Sequence, residues 1–129
     1  MRPTDERGTA AAEAVIVLPV LLFVVLTVVQ FGVWYHAVAV AKAAVAEAAR
    51  AARAEGGTAE DGRVRGEAFL AQAGSTVVER PEIVVSRDAE VVRVELHAVA
   101  ANVVPGVHLP IHAFARSVVE RFRPDLDPT

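Results

Sequence analysis

From Ala14 to Trp34 the chain reads AVIVLPVLLFVVLTVVQFGVW, 21 residues without an Asp, Glu, Lys or Arg. At about 1.5 Å per residue, a helix of that length reaches roughly 30 Å, the thickness of a bilayer's hydrocarbon core. Only Thr27 and Gln30 are polar within it. Trp34 closes the run and Tyr35 follows, which is where aromatic side chains anchor a span at the membrane surface. The whole chain has 129 residues, and so small a protein has little interior in which to enclose such a helix on every side. The sequence therefore predicts one membrane span over 14–34. No second run is long enough to cross, since Ala98 to Val104 counts seven residues.

A cleaved secretory signal is the competing reading. Ala37-Val38-Ala39 has the small-x-small pattern of a cleavage site. Against it, the apolar run exceeds the roughly 7–15 residues usual for a signal, and the preceding RPTDERG carries two acids beside its two Arg. Orientation is not decided by charge. Arg2 and Arg7 precede the run, while Lys42, Arg50 and Arg53 follow it, so the positive-inside count is nearly balanced.

Composition narrows the function classes. Net charge is −3, and residues 1–34 hold 2 basic and 3 acidic side chains against 11 and 13 in 35–129. Neither part is strongly basic, which argues against nucleic acid as a partner. There is no Cys, so disulfides and thiol catalysis are excluded.

Helical character continues past the apolar run. HAVAVAKAAVAEAARAARAE lacks Gly and Pro and is rich in Ala, the best helix former. At 100° per residue Val38, Ala41, Val45, Ala48 and Ala52 share one face, with Lys42, Glu47, Arg50 and Arg53 opposite. Gly56-Gly57 ends the helix. One rod from about Ala10 to Glu55 is expected, half lipid-facing and half amphipathic. Pro19 removes one backbone hydrogen bond inside the lipid half and should bend the rod there.

A polar link, GGTAEDGR, precedes a brief second helix over 63–73. The rest reads as strands. TVVERPEIVVS is β-branched but carries Pro81, which confines it to an edge or splits it. Val92, Val94, Leu96 and Ala98 alternate onto one face. Arg87-Asp88-Ala89-Glu90 suits a hairpin turn, Ala100 to Pro110 a loop, and Ile111 to Phe122 a third strand. The expected architecture is α+β: a long amino-terminal transmembrane helix continuing into an amphipathic helix, packed on a small antiparallel sheet.

Candidate chemistry is sparse. His108 and His112 are spaced as a possible metal pair, but no third ligand accompanies them, and surface histidines are the plainer reading. Ser75, Ser86 and Ser117 lack a nucleophile-elbow context. No enzymatic activity, cofactor or metal is expected.

The amino-terminal residues carry more. Glu13 is the last charge before the apolar run, and an ionised acid inside a bilayer needs a partner or a place at the interface. If the chain were cut between Gly8 and Thr9, the new α-amine would lie four residues before Glu13, and the amine of one subunit could pair with the carboxylate of a neighbour. Such a pair sets register more dependably than it adds stability. The plainer reading is that Glu13 marks the membrane edge and reaches into the headgroups.

Gly8, Glu13 and Val17-Leu18-Pro19-Val20-Leu21-Leu22 together resemble the start of TadE-like proteins, the TadE/TadG group of pilin-like proteins in tight-adherence (Flp-type, type IVb) pilus systems. The resemblance covers roughly residues 7–55; beyond it the chain matches only in style, ending in a stretch such as Ala115-Arg116-Ser117-Val118-Val119-Glu120. Ala14 stands where an aromatic residue often follows the Glu, and Gln30 near where an acid is common. The resemblance implies a leader, 1–8, cut after Gly8 by a prepilin peptidase, and a helix over 9–55. It implies an external α+β domain over 56–123 ending in a polar tail, 124–129. It also implies a cytoplasmic amino terminus, a single pass through the cell membrane, and a pseudopilin or minor-pilin role. The implied partners are the lipid bilayer, other pilins and pilus platform proteins. The alternatives are a membrane-tethered binding module that does not polymerise and a small secreted protein.

Overall fold

The computed structural model describes residues 5–119. A single helix, α1 (Asp5–Arg53), occupies 49 of these residues and is about 74 Å long. It is already helical at Asp5, ahead of the expected start near Ala10, so the residues flanking Gly8 lie within the helix. It runs without a break through Pro19. Gly56, at φ 72°, takes the left-handed conformation that lets the chain turn away beyond the helix.

The second helix, α2 (Ala59–Phe69), starts earlier than the polar character of GGTAEDGR suggests. The reason is a capping box. The Thr58 side chain accepts from the Asp61 N–H at 3.1 Å, and the Thr58 N–H donates to the Asp61 carboxylate at 2.8 Å. A wide π-type turn, Leu70–Gly74, follows directly. Three strands follow among the described residues: β1 (Val78–Arg87), β2 (Val91–Ala100) and β3 (Pro110–Val118). They form one antiparallel sheet in the order β1-β2-β3.

Pro81 does split β1 locally. The register shifts between Glu79 and Glu82, and Arg80 sits at φ 49°, a left-handed conformation that a non-glycine residue adopts at a cost. The turn between β1 and β2 falls at 88–90, closed by the Asp88 N–H donating to the Val91 carbonyl. The expected third strand, Ile111 to Phe122, is observed from Pro110 to Val118. Glu120, Phe122 and the polar tail 124–129 lie outside the described residues.

The core forms where the upper half of α1 meets the sheet. Ala41, Ala44, Val45, Ala48 and Ala52 of α1 are buried against Val92, Val94 and Leu96 of β2 and Ile111 and Ala113 of β3. Fully burying a Val, Leu or Ile side chain contributes about 1.5–3 kcal/mol, so this layer holds the sheet to the rod. The alternating face expected on β2 is the inner face.

The helix pair is packed unusually close. Gly62 and Gly66 of α2 sit against the Ala44–Ala48–Ala52 side of α1. A Cβ at Gly62 would lie 2.8 Å from both the Ala48 carbonyl oxygen and the Ala52 Cβ. Gly66 therefore marks a packing position rather than a break in the helix. The arrangement is α+β and pilin-like: a rod whose lower part stands alone and whose upper part is the spine of a small sheet domain.

Candidate functional site

The lower part of α1 is an apolar surface without a cover. Val15, Ile16, Leu18, Val20, Leu22 and Phe23 are all more than half exposed, an arrangement that water penalises and that lipid or neighbouring helices relieve. Among the described residues α1 is the one helix long and apolar enough to cross a membrane. Glu13 and Ala14 are exposed at its lower end, together with Gly8 and Thr9. Thr9 engages other groups of the chain, and nothing within 4 Å would obstruct a Cβ at Gly8. This end of the rod is therefore open to whatever approaches it.

Pro19 lies midway along the exposed section. Its ring nitrogen carries no proton, so the carbonyl of Val15 lacks its usual i+4 donor. The gap falls where no other element braces the helix.

The joint between rod and domain is the feature that sequence reasoning missed. Gln30 is 2% exposed, the buried polar side chain of the described core. Its Oε1 accepts from the Val103 N–H at 2.7 Å and the Val104 N–H at 3.1 Å, and its Nε2 donates to the Ala101 carbonyl at 3.1 Å. One amide thus satisfies three backbone groups of the β2–β3 connection, which have no strand partners there. Four residues on, the Trp34 indole N–H donates to the Pro110 carbonyl at 3.1 Å. Trp34 is half-buried against the core, while Tyr35 is 75% exposed. Of the two expected interface aromatics, Tyr35 is exposed and Trp34 is committed to the joint. A polar residue inside an apolar run, one turn before an aromatic, was the available signal for such a joint. Its partners are about seventy residues away in sequence and cannot be read from spacing.

The connection itself is shaped by Pro105-Gly106. The Val107 N–H donates to the Val104 carbonyl at 3.1 Å, and Gly106 has φ 80°, the pattern of a type II turn with Pro and Gly at its centre. An apolar crevice of about 200 Å³ separates it from α1, lined by Phe23, Thr27 and Phe31 on one side and Val104, Val107 and Leu109 on the other.

The histidines pair differently from their spacing. His112 faces His97 across β2 and β3, with ring centroids 4.4 Å apart and planes 19° from parallel. The two rings stack by their faces on the outer side of the sheet. His108 is in the loop and takes no part. Among the described residues no three His, Cys, Asp or Glu side chains come together as a metal site. Ser75, Ser86 and Ser117 are dispersed over the turn before β1, β1 and β3.

The α2 region holds a group of mutually bonded charged side chains. The Asp61 carboxyl is held below its ordinary range by hydrogen bonds from the Thr58 side chain and backbone. Glu60 is lowered chiefly by its hydrogen bond to Arg63, which also bonds Glu67 and is itself raised. These are helix-capping and i,i+3 or i,i+4 pairs on an exposed surface, not a catalytic arrangement.

No curated protein and no solved structure matches the chain. A family model does match: that of the TadE-like proteins aligns with residues 8–50, about a third of the chain, and over this stretch, which runs from Gly8 through Glu13, Pro19, Gln30 and Trp34 to Arg50, the chain is similar to that family.

Proposed function

We propose that this chain is a pseudopilin or minor pilin that acts, without enzymatic activity of its own, in assembling a tight-adherence pilus or a related secretion apparatus. The observation that carries the reading is the match over 8–50, which begins on the glycine where a leader would end. In this reading residues 1–8 are a leader removed by a prepilin peptidase on the cytoplasmic side. Thr9 becomes the new amino terminus, and its α-amine pairs with the Glu13 carboxylate of a neighbouring subunit. The exposed apolar face of α1 serves first as a single-pass anchor over about 14–34 and then as the assembly surface against other pilins. Pro19 gives the rod a point at which it can bend, and Tyr35 marks the outer membrane–water boundary. The α+β domain, together with its carboxy-terminal tail, stands outside the membrane, and pilus platform proteins act on the subunit from within it.

The exposure of α1 supports this reading, because one surface that suits lipid also suits a bundle of like helices. Mass spectrometry of the native amino terminus tests the processing step: a chain starting at Thr9 is expected, and one starting beyond Ala39 would assign the chain to secretion. Glu13→Ala tests assembly. Loss of co-assembly with other pilins, with membrane insertion retained, is expected. Unimpaired assembly would leave the chain as a membrane-tethered binding module.

A further inference from the structure

Leu96 to Ala115 is a second stretch without Asp, Glu, Lys or Arg, 20 residues long. It does not form a helix. It folds as the lower halves of β2 and β3 and the connection between them, so that its turn lies beside Gln30 of α1. Charge is segregated along β2 and β3 as a result, whereas the edge strand β1 carries Glu79, Arg80 and Glu82 on its half nearer the span. Arg87, Asp88, Glu90, Arg93 and Arg116 lie toward the far end, where β1 turns into β2 and β3 finishes, and the end nearest the span has none of these on β2 or β3.

The depth of that uncharged end follows from the rod. With Glu13 at the inner edge of the hydrocarbon, a core of about 30 Å takes about 20 residues of helix. The outer edge then falls near Val33 or Trp34. Gln30 lies below that level by three or four residues, roughly 5 Å, and the 101–109 connection is bonded to it. Tilting the rod uses more residues per crossing and takes the connection deeper. Raising the connection out of the hydrocarbon requires drawing Glu13 in instead, which costs several kcal/mol. The connection, AANVVPGVHL between Ala100 and Leu109, has no charge to oppose immersion. Three of its backbone groups are satisfied by Gln30, and the Val107 N–H by the Val104 carbonyl, which lowers the cost of immersing that side of the connection.

We propose that the β2–β3 connection is a membrane wedge. It dips into the outer leaflet beside α1, and a lipid acyl chain fills the crevice between Phe23, Thr27 and Phe31 and Val104, Val107 and Leu109. The span and the wedge are then two contacts of one domain with one leaflet, which fixes the height and rotation of the sheet above the bilayer. Lipid is the occupant because the crevice is continuous with the exposed apolar face of α1 and lies below the computed outer edge. The proposal rests on α1 being inserted in the membrane.

The chain has no native Cys, so single spin labels can be placed cleanly. Full-length His108→Cys, Leu21→Cys and Ser86→Cys variants are reconstituted in phosphatidylethanolamine–phosphatidylglycerol vesicles at high lipid-to-protein ratio. Collision with oxygen, which partitions into lipid, is compared with collision with a water-soluble nickel chelate. The label at 108 is expected to follow the label at 21, with oxygen access dominant, and to differ from the label at 86. A label at 108 open to nickel while the label at 21 is closed to it would overturn the wedge and leave the anchor standing. Nickel access at 21 would overturn both. Low access to both reagents at 108, with dipolar broadening between copies, would place a second copy in the crevice and overturn lipid as the occupant.

Discussion

The joint at Gln30 gives the sharpest test of how this fold is held together. Gln30→Met keeps the length and approximate volume of the side chain and removes the amide. Three hydrogen bonds are lost, to the Val103 N–H, the Val104 N–H and the Ala101 carbonyl. They are not equivalent. The bond to Val104 is buried, so its N–H is left without water and costs about 1–3 kcal/mol. The other two are part-buried and can turn to solvent, so each loses only the net value of a hydrogen bond, about 0.5–1.5 kcal/mol. The sum is about 2–6 kcal/mol. The greater apolarity of Met offsets about 1–2 kcal/mol of it, leaving a centre near 3 kcal/mol. A domain of this size is stable by about 5–15 kcal/mol, so the change is large on that scale.

Urea unfolding in detergent micelles reads it directly. The chain has a single Trp, and its indole is bonded to Pro110 at the same joint, so its fluorescence reports the step of interest. With a slope of about 1–3 kcal/mol per molar urea, a loss of 3 kcal/mol lowers the midpoint by about 1–3 M. Trp34 emission in the folded variant should also shift to the red as the connection loosens. An unchanged midpoint and unchanged emission would refute the reasoning, because they would mean that the Gln30 amide contributes nothing that water does not replace.

Two further outcomes follow from α2. Gly62→Ala should destabilise by up to about 2 kcal/mol, since overpacking costs about 1–3 kcal/mol against roughly 1 kcal/mol gained in helix propensity and the obstructing Ala48 carbonyl and Ala52 Cβ cannot swing aside. Gly66→Ala should cost less than Gly62→Ala, because its closest obstacle is the far end of a side chain, Ile83 Cδ1 at 2.9 Å, with the Ala48 Cβ next at 3.1 Å; thermal melts in the reverse order would sink the argument. The Asp61 carboxyl is lowered in the folded chain, so the unfolded chain binds the proton more readily. Its stabilising effect is present above the ordinary aspartate range and is lost as pH falls through the lowered folded value. Asp61→Asn should flatten the acid limb of a stability–pH curve, and an unaltered limb would show that the capping box does not set it.

What could be read from the sequence was what depends on near neighbours. The apolar run, the Ala-rich stripe over 41–52, the inward face of β2 and the turn at 88–90 are all local periodicities, and each is where its pattern predicts. The same locality explains the differences. Residues 56–63 look like a link because Gly, Asp and Glu dominate their composition, yet Thr58 and Asp61 reciprocally cap a helix there. The close packing of Gly62 and Gly66 depends on the neighbouring Ala surface of α1, which local sequence does not reveal. The spacing of His108 and His112 suggests at most a weak pair, and strand register instead brings His112 to His97. Gln30 is, by sequence, one of two polar residues in the apolar run. Its role depends on a connection that only the order β1-β2-β3 returns to the foot of the domain.

The absence of a linker between span and domain bears on the choice between pilin and tether. A binding module on a membrane gains reach from a flexible stalk. Here α1 passes from the exposed apolar section into the core of the domain as one helix. Gln30 and Trp34 lock the foot of the sheet to it, and the Ala stripe holds the sheet above. The domain must therefore follow every tilt of the rod. From Pro19 to Arg53 the rod is about 51 Å long, and a bend of about 20° at Pro19, the smallest that counts as a sharp kink, would carry its far end about 17 Å. Such a lever gives a solitary tether little, because it sweeps an arc without extending its reach. In a stack of like subunits the same stiffness converts the register set by apolar helices below into a fixed placement of the domains above. The rigid joint thus favours a subunit that is positioned by its neighbours.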